Sequence, residues 1–131
     1  MTIFVDTSAL LAQLNRADDY HERSVDAFSR LVREDRLLTH NYAIVETTAL
    51  AQSRLGLDAV RALLRDIIPL VEVHWIDQAI HEAATIALLA AGRRDTSFVD
   101  WASFEVMRRS AIEVAFAFDR DFARHGFRLV P

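Results

Sequence analysis

Four acidic residues stand at positions that an α/β fold could bring together. Asp6 and Asp119 each follow an apolar run typical of a buried strand, whereas Glu46 and Asp100 lie in apolar helical segments. If the strands are parallel neighbours, all four carboxylates can meet at one rim of the sheet. Carboxylates so close together cannot all ionise without a cation, and oxygen ligands suit hard cations. The pattern therefore predicts a site for Mg²⁺ or Mn²⁺.

The chemistry expected of such a site is phosphodiester hydrolysis. Mg²⁺ held by few carboxylates keeps positions open for a phosphate oxygen and a water molecule. The cation lowers the pKa of that water and neutralises charge on the transferring phosphorus. The hydroxyl groups of Thr7, Ser8 and Ser97 are predicted to orient the carboxylates.

Structural roles for the same acids remain open at this stage. Asp6 precedes a helical segment and could simply cap it. Ser97 and Asp100 are three residues apart, which is the spacing of a capping box. Glu46 has apolar neighbours one turn away on each side, but it could still lie at a helix edge that reaches solvent. The apolar start of the Asp100 helix favours burial of that carboxylate.

The elements that must position these acids alternate along the chain. Apolar periodicity and turn residues predict strands at 2–5, 37–39, 70–74, 113–118 and 127–130. Helices are predicted at 8–15, 20–33, 42–54, 58–68, 78–91 and 98–109, with a helical turn ending at 124. Asn41, Asp58 and Asp77 are predicted helix caps. This alternation predicts an α/β sandwich of three layers, in which helices flank a mainly parallel central sheet.

Length and composition set further bounds. The 131 residues suit a single domain spanning 1–131, with 52% hydrophobic and 26% charged residues. The chain has no cysteine, which excludes disulfides and thiolate chemistry, and all 15 of its basic residues are arginine. The net charge of −4 argues against nucleic-acid binding driven by general electrostatics. No signal peptide or apolar span is visible, so a cytoplasmic protein without membrane association is expected.

The chain resembles a PIN domain of the VapC type, the ribonuclease toxin of bacterial toxin–antitoxin pairs. The resemblance rests on the acidic residues and on the segments around them, and it covers essentially the whole chain. These segments are Val5-Asp6-Thr7-Ser8, Glu46, Thr96-Ser97-Phe98-Val99-Asp100, Met107-Arg108-Arg109, Phe118-Asp119-Arg120-Asp121-Phe122 and Gly126-Phe127-Arg128-Leu129-Val130-Pro131.

The resemblance implies a Mg²⁺- or Mn²⁺-dependent endoribonuclease. It implies a cognate antitoxin that blocks the enzyme, a homodimer, and larger toxin–antitoxin complexes. The acidic quartet of the family corresponds to Asp6, Glu46, Asp100 and Asp119, and Ser8 and Ser97 correspond to hydroxyls beside the metal. Asp121 is an additional acid near the site. Because the chain lacks lysine, contacts to the RNA backbone are assigned to arginine, with Arg93, Arg94 and Arg120 as candidates or as ordinary solvated charges.

Three other functions compete with this interpretation. A phosphatase or receiver domain that forms an aspartyl phosphate also places Asp after its first strand, but the chain lacks both the lysine and the second Asp of Asp-x-Asp. A catalytically silent binding module with the PIN fold would be favoured by loss of an acid, yet all four are present. The third alternative is a nuclease that cleaves DNA. RNA is expected as the substrate only because of the family resemblance.

Overall fold

The sheet is parallel throughout. In the computed structural model, which describes residues 1–131, its strands are β1 (Thr2–Val5), β2 (Arg36–His40), β3 (Glu72–His74), β4 (Val114–Phe116) and β5 (Arg128–Leu129). They are arranged in the order β3-β2-β1-β4-β5, and every neighbouring pair is parallel. The prediction of a mainly parallel sheet is therefore confirmed.

Seven α-helices connect and flank the strands. They are α1 (Thr7–Leu14), α2 (His21–Glu34), α3 (Asn41–Arg54), α4 (Leu57–Arg61), α5 (Gln78–Ala91), α6 (Phe98–Arg109) and α7 (Asp121–Arg124). Helix α4 continues into a π-helical turn, Ala62–Ile67, and a 3-10 turn, Ile68–Leu70. None of these helices has the length and apolar character required to cross a lipid bilayer.

The side chains of the central strand β1 pack against helices on both faces of the sheet. Successive side chains of a strand point to opposite faces. Ile3 and Val5 join one buried cluster, which also contains side chains from α1 and α2, whereas Phe4 joins a second cluster with Phe104 and Phe122 from α6 and α7. Helices therefore cover both faces of the sheet, as an all-parallel sheet requires.

The strand order reverses at β1. The chain passes from β1 to β2 and β3 on one side and then returns to β4 on the other side. Ligands of open α/β sheets bind at such a switch point, outside the carboxyl ends of the strands. Asp6 immediately follows β1, and Asp119 lies three residues after the end of β4.

Two predicted caps are wrong. Asn41 is the first residue of α3, and its side chain accepts a hydrogen bond from the Ile76 amide at 2.7 Å. The cap is His40, whose ring Nδ1 accepts from the Ala43 amide at 3.1 Å. Helix α4 starts after Gly56, and Asp58 lies inside its first turn, where it pairs with Arg61. Both sites have a polar residue next to the true boundary, so the sequence pattern located the boundary only to within two residues.

Candidate active site

Asp6 is a buried carboxylate at the end of β1. Only 3% of the residue is exposed. Its Oδ2 accepts hydrogen bonds from the Ser8 amide at 3.1 Å and from the Ser8 hydroxyl at 2.6 Å. Asp6 thus caps α1, as the structural alternative proposed, but a cap normally lies at the protein surface. Its burial in a shared cleft shows that capping is only part of its environment.

Ser8 joins the two central strands. Its hydroxyl donates to Asp6 and also accepts a hydrogen bond from the Phe118 amide at 2.9 Å, across a separation of 110 residues. The Asp6 amide donates to the Phe116 carbonyl at 3.0 Å. These contacts hold the chain segment before Asp119 beside Asp6. One hydroxyl therefore positions both the carboxylate of β1 and the segment after β4.

Asp100 occupies the first turn of α6. Its Oδ2 accepts from the Ser97 amide at 3.1 Å, and the Asp100 amide donates to the Ser97 hydroxyl at 3.1 Å. The capping box that the spacing predicted is therefore present. The Asp100 residue is nevertheless only 8% exposed and lies on the wall of the acidic cleft. Capping fixes the direction of the carboxylate and does not exclude a role in the cleft.

The four predicted acids line a single open cleft of about 340 Å³. Glu46 reaches it from α3 and is half-buried, so its carboxylate lies between the interior and the solvent. Thr7, Ser8 and Ser97 also line this cleft, together with Leu11 and Leu50. The structure therefore brings together all four acids and the three hydroxyl residues that the sequence nominated.

The electrostatics of the cleft disfavour full ionisation. Burial raises the pKa of Asp6 to about 6, against the opposing effect of the Ser8 hydrogen bonds, and the negative charge of Asp119 raises it further. Burial also raises the pKa of Asp100 to about 7, with added repulsion from Asp6 and Asp119. Carboxyl groups whose pKa is raised to near neutral by burial and by neighbouring negative charge are typical of functional sites. A bound cation would relieve both effects.

The most compact group of acids differs from the predicted quartet. One oxygen from each of Asp100, Asp119 and Asp121 lies within 4.8 Å of the others. Asp121 is 5% exposed, accepts from the Thr96 hydroxyl at 3.3 Å and forms an ion pair with Arg124 at 3.0 Å. Its amide donates to Asp119 at 2.9 Å. Asp121 therefore belongs to the acidic cluster, while Arg124 and Thr96 already occupy part of its hydrogen-bonding capacity.

The Thr7 hydroxyl does not orient a carboxylate as predicted. Thr7 lines the cleft, but its hydroxyl oxygen is buried and has no hydrogen-bond partner in the protein. Whether the cleft fits a metal therefore depends on its other donors. The carboxylate and serine oxygens that line it, with no nitrogen or sulfur ligand among them, form a donor set that suits Mg²⁺ or Mn²⁺.

The candidate RNA-binding arginines are exposed but do not line the cleft. Arg93 forms an ion pair with Asp95 at 2.7 Å. Arg120 lies between Asp119 and Asp121 in the chain, at the start of α7. Arg94 belongs to the same connector as Arg93. Any contact of these arginines with RNA would therefore lie outside the cleft.

Sequence reasoning missed a buried pair behind the acids. His40 is fully buried, its Nε2 lies 2.7 Å from the Ser103 hydroxyl, and that hydroxyl donates to the Val99 carbonyl at 2.9 Å. Because Nδ1 accepts from Ala43, the proton resides on Nε2, and burial lowers the pKa of His40 to about 3. The pair connects α3, which carries Glu46, to α6, which carries Asp100. The signal available was a histidine directly after the predicted strand 37–39.

A larger concavity of about 610 Å³ lies at the opposite end of the strands and carries mixed charges. It includes both chain termini, with Arg30, Glu34 and Asp35 on its wall. No group of convergent acids is found there. Size alone therefore does not locate the chemistry of this protein.

Comparison with known proteins decides the family. The family model for the PIN domain matches residues 3–128. The chain belongs to the PIN-domain family. It is 35% identical over 126 residues to the 23S rRNA-specific endonuclease VapC20 of two Mycobacterium tuberculosis strains, CDC 1551 and H37Rv, with 95% of each chain covered.

Solved structures agree with this assignment. The crystal structure of Mycobacterium tuberculosis VapC20, described as a sarcin–ricin loop cleaving toxin, superimposes with a TM-score of 0.83 at 34% identity and covers 95% of both chains. The structure of FitAcB from Neisseria gonorrhoeae gives a TM-score of 0.70 at 15% identity, covering 100% of this chain and 97% of that one. The second likeness concerns the fold alone. The recognised family and the PIN-like α/β architecture are thereby confirmed.

Proposed function

We propose that this PIN domain is a divalent-metal-dependent endoribonuclease that acts as the toxin of a toxin–antitoxin pair. The observation that carries the proposal is the cleft beside β1, where the strand order reverses. Its lining includes all four acids, Asp6, Glu46, Asp100 and Asp119. The relatives that are 35% identical over 95% of the chain are RNA-cleaving endonucleases by name, which supports RNA as the substrate.

The residues of the cleft have separable tasks in this proposal. Asp6, Glu46, Asp100 and Asp119 would hold Mg²⁺ or Mn²⁺. Glu46, which is less buried than Asp6 and Asp100, would also accept the proton from the attacking water. When bound, the metal supplies Lewis-acid stabilisation of the charge that develops on the phosphate. Ser8 and Ser97 hold Asp6 and Asp100 in fixed directions through the hydrogen bonds described above. Asp121 steadies Asp119 through its amide.

Ribosomal RNA is the substrate class to examine first. The names of the relatives specify 23S rRNA and its sarcin–ricin loop. Acting on such a substrate requires the protein to work in the cytoplasm. A cell that makes this nuclease needs an inhibitor of it, so we expect a cognate antitoxin whose co-expression relieves growth arrest.

A second copy of the chain is the expected partner in the toxin itself. Ile86 and Leu89 on α5 are 69% and 75% exposed, and Val45 on α3 is 67% exposed. Ile86 and Leu89 are three residues apart and so share one face of α5, and adjoining exposed apolar side chains favour an interface. Sedimentation of the wild type and of Leu89→Arg tests this expectation. A wild type that sediments as a monomer at micromolar concentration would contradict the homodimer.

Cleavage of a structured ribosomal RNA fragment, with and without EDTA, tests the nuclease. We expect cleavage that requires Mg²⁺ or Mn²⁺ and is abolished in Asp6→Asn and Asp100→Asn, because each variant loses one ligand charge. Glu82→Gln is the matched control, since Glu82 is exposed on α5 and outside the cleft. Native cleavage by Asp100→Asn, or cleavage that persists in EDTA, would refute the metal site. Metal binding without cleavage of any RNA would favour the silent binding module.

A further inference from the structure

An aromatic stack includes Phe118, the residue directly before Asp119 of the acidic cleft. The rings of Tyr20 and Phe118 lie parallel, with centroids 4.6 Å apart and planes 5° apart. Phe118 directly precedes Asp119, and its amide donates to the Ser8 hydroxyl that holds Asp6. The stack is thus connected to the predicted metal ligands through one residue of backbone and one hydroxyl.

Arg23 lies beside this stack and not over its outer face. Its guanidinium carbon is 5.6 Å from the Tyr20 centroid and 5.5 Å from the Phe118 centroid. A cation equally distant from two stacked rings must lie near the plane midway between them. Arg23 forms no ion pair with a carboxylate, unlike Arg36, Arg61, Arg93, Arg109 and Arg124. Its donors remain available at the side of the stack.

Tyr20 therefore has one ring face that no other aromatic ring of the chain covers. Phe118 covers one face, Arg23 covers neither, and the residue is 42% exposed. The backbone that carries it is already fixed, because the Tyr20 amide donates to Asp18 at 2.8 Å and the buried Ser24 hydroxyl donates to Ala9 at 2.8 Å. A rigid aromatic face needs little ordering before it binds another ring.

We propose that the outer face of Tyr20 is a stacking site for an unpaired nucleobase of the RNA substrate, with Arg23 contacting the phosphate of that nucleotide. The inference rests on the proposed nuclease function and adds a binding position for one base of the substrate, against a ring whose partner Phe118 is one residue from Asp119 in the chain. Unstacked bases of RNA bind on aromatic faces and on arginine planes. Stacking on Tyr20 would let a chain of negative net charge without lysine bind RNA by a contact that does not depend on its overall charge.

Binding without cleavage tests this site directly. Fluorescence anisotropy of labelled oligoadenylate and oligouridylate, at low salt with EDTA, measures affinity while the metal is absent. We expect the wild type to prefer oligoadenylate, because purines present the larger stacking surface. Tyr20→Ala should lose about tenfold in affinity for oligoadenylate and should bind both oligonucleotides equally. Tyr20→Trp should retain the preference, because it keeps an aromatic face.

Arg23 has a different expected signature. Arg23→Gln should keep the preference for adenine but lower the slope of log affinity against log salt by about 0.7, the value for one lost phosphate contact on a single strand. Arg36→Gln is the matched control, because Arg36 is exposed and hydrogen-bonded to Glu72. It should change neither the preference nor the slope. Thermal unfolding of each variant separates loss of binding from loss of fold.

The outcomes separate this inference from the nuclease proposal. Undiminished binding or a persistent adenine preference in Tyr20→Ala overturns the stacking site, as does a wild type that binds neither oligonucleotide. If any of these results is found while the wild type still cleaves RNA in a metal-dependent reaction, the nuclease proposal holds and the stacking site is rejected. If the Tyr20-dependent preference is observed without cleavage of ribosomal RNA, the stacking site stands and the nuclease proposal fails.

Discussion

Asp100→Asn should stabilise the metal-free protein above neutral pH. The folded pKa of Asp100 is raised from 3.8 to about 7, chiefly by burial and then by repulsion from Asp6. A raised folded pKa means that the folded state binds more protons than the unfolded state between those values. The favourable contribution is complete below about pH 3.8 and is lost as the pH rises through about 7. The wild type therefore carries a penalty at alkaline pH that the amide lacks.

The magnitude follows from the same two pKa values. Their difference corresponds to about 4 kcal/mol in the free energy of unfolding once Asp100 is fully ionised. Asp100 is only 8% exposed, so solvent screening reduces this little, but an amide in the Ser97 capping box is a weaker acceptor than a carboxylate. A net gain of about 2–3 kcal/mol is expected, which is a rise in Tm on the order of 10 °C for a domain of this size.

Thermal unfolding in EDTA across the pH range is the assay. The gain should be near zero at about pH 4 and complete at about pH 8.5, above the raised pKa values. Glu105→Gln is the control, because Glu105 lies on the same helix but outside the cleft. A gain of equal size at both pH values would indicate a packing effect, and no gain at the higher pH would refute the electrostatic account. Added Mg²⁺ should stabilise the wild type more than the variant.

Three further perturbations have expected outcomes. Ser8→Ala removes the acceptor of the Phe118 amide and one donor to Asp6, so it should cost about 1–3 kcal/mol by denaturant unfolding and weaken Mn²⁺ binding measured by calorimetry. His40→Ala should cost about 2–4 kcal/mol, because it opens a cavity and leaves the Ala43 amide without its acceptor. The pKa of His40 in the folded state is about 3, so its contribution to the free energy of unfolding is complete above about pH 6.5 and is lost as the pH falls toward 3. The variant should therefore lose less stability than the wild type over that pH range. Thr7→Val should leave the free energy of unfolding in EDTA within about 1 kcal/mol of the wild type, because the buried hydroxyl has no protein partner; a large loss by denaturant unfolding would show that this hydroxyl does make a hydrogen bond.

Most of the fold could be predicted from local patterns. The helix from Phe98 to Arg109 was predicted with its observed bounds, because Ser97 and Asp100 mark its start by a local capping box. The predicted strands 70–74 and 113–118 are longer than β3 and β4. Leu70 and Val71 precede the first pairing of β3, whereas Ala117 and Phe118 follow the last pairing of β4. A strand begins and ends where its pairing with a neighbour does, and single-sequence periodicity contains no information about the neighbour.

The candidate site was predictable to a similar extent. Asp6 and Asp119 could be placed at strand ends from the apolar runs before them, and all four predicted acids do line one cleft. Asp121 was expected near the site, but its close grouping with Asp100 and the link from His40 to Ser103 were not predictable. Both depend on where α6 packs relative to the other elements, and no local pattern encodes such distances.

The sequence by itself determined the kinds of groups available to this protein: carboxylates, hydroxyls and arginines, without cysteine or lysine. It also determined the alternation of strands and helices, because hydrophobic periodicity is a local property. Only the tertiary structure decided which acids share a cleft and how strongly each resists ionisation. Those properties depend on the strand order β3-β2-β1-β4-β5 and on burial, since desolvation and Coulomb repulsion act through space and not along the chain.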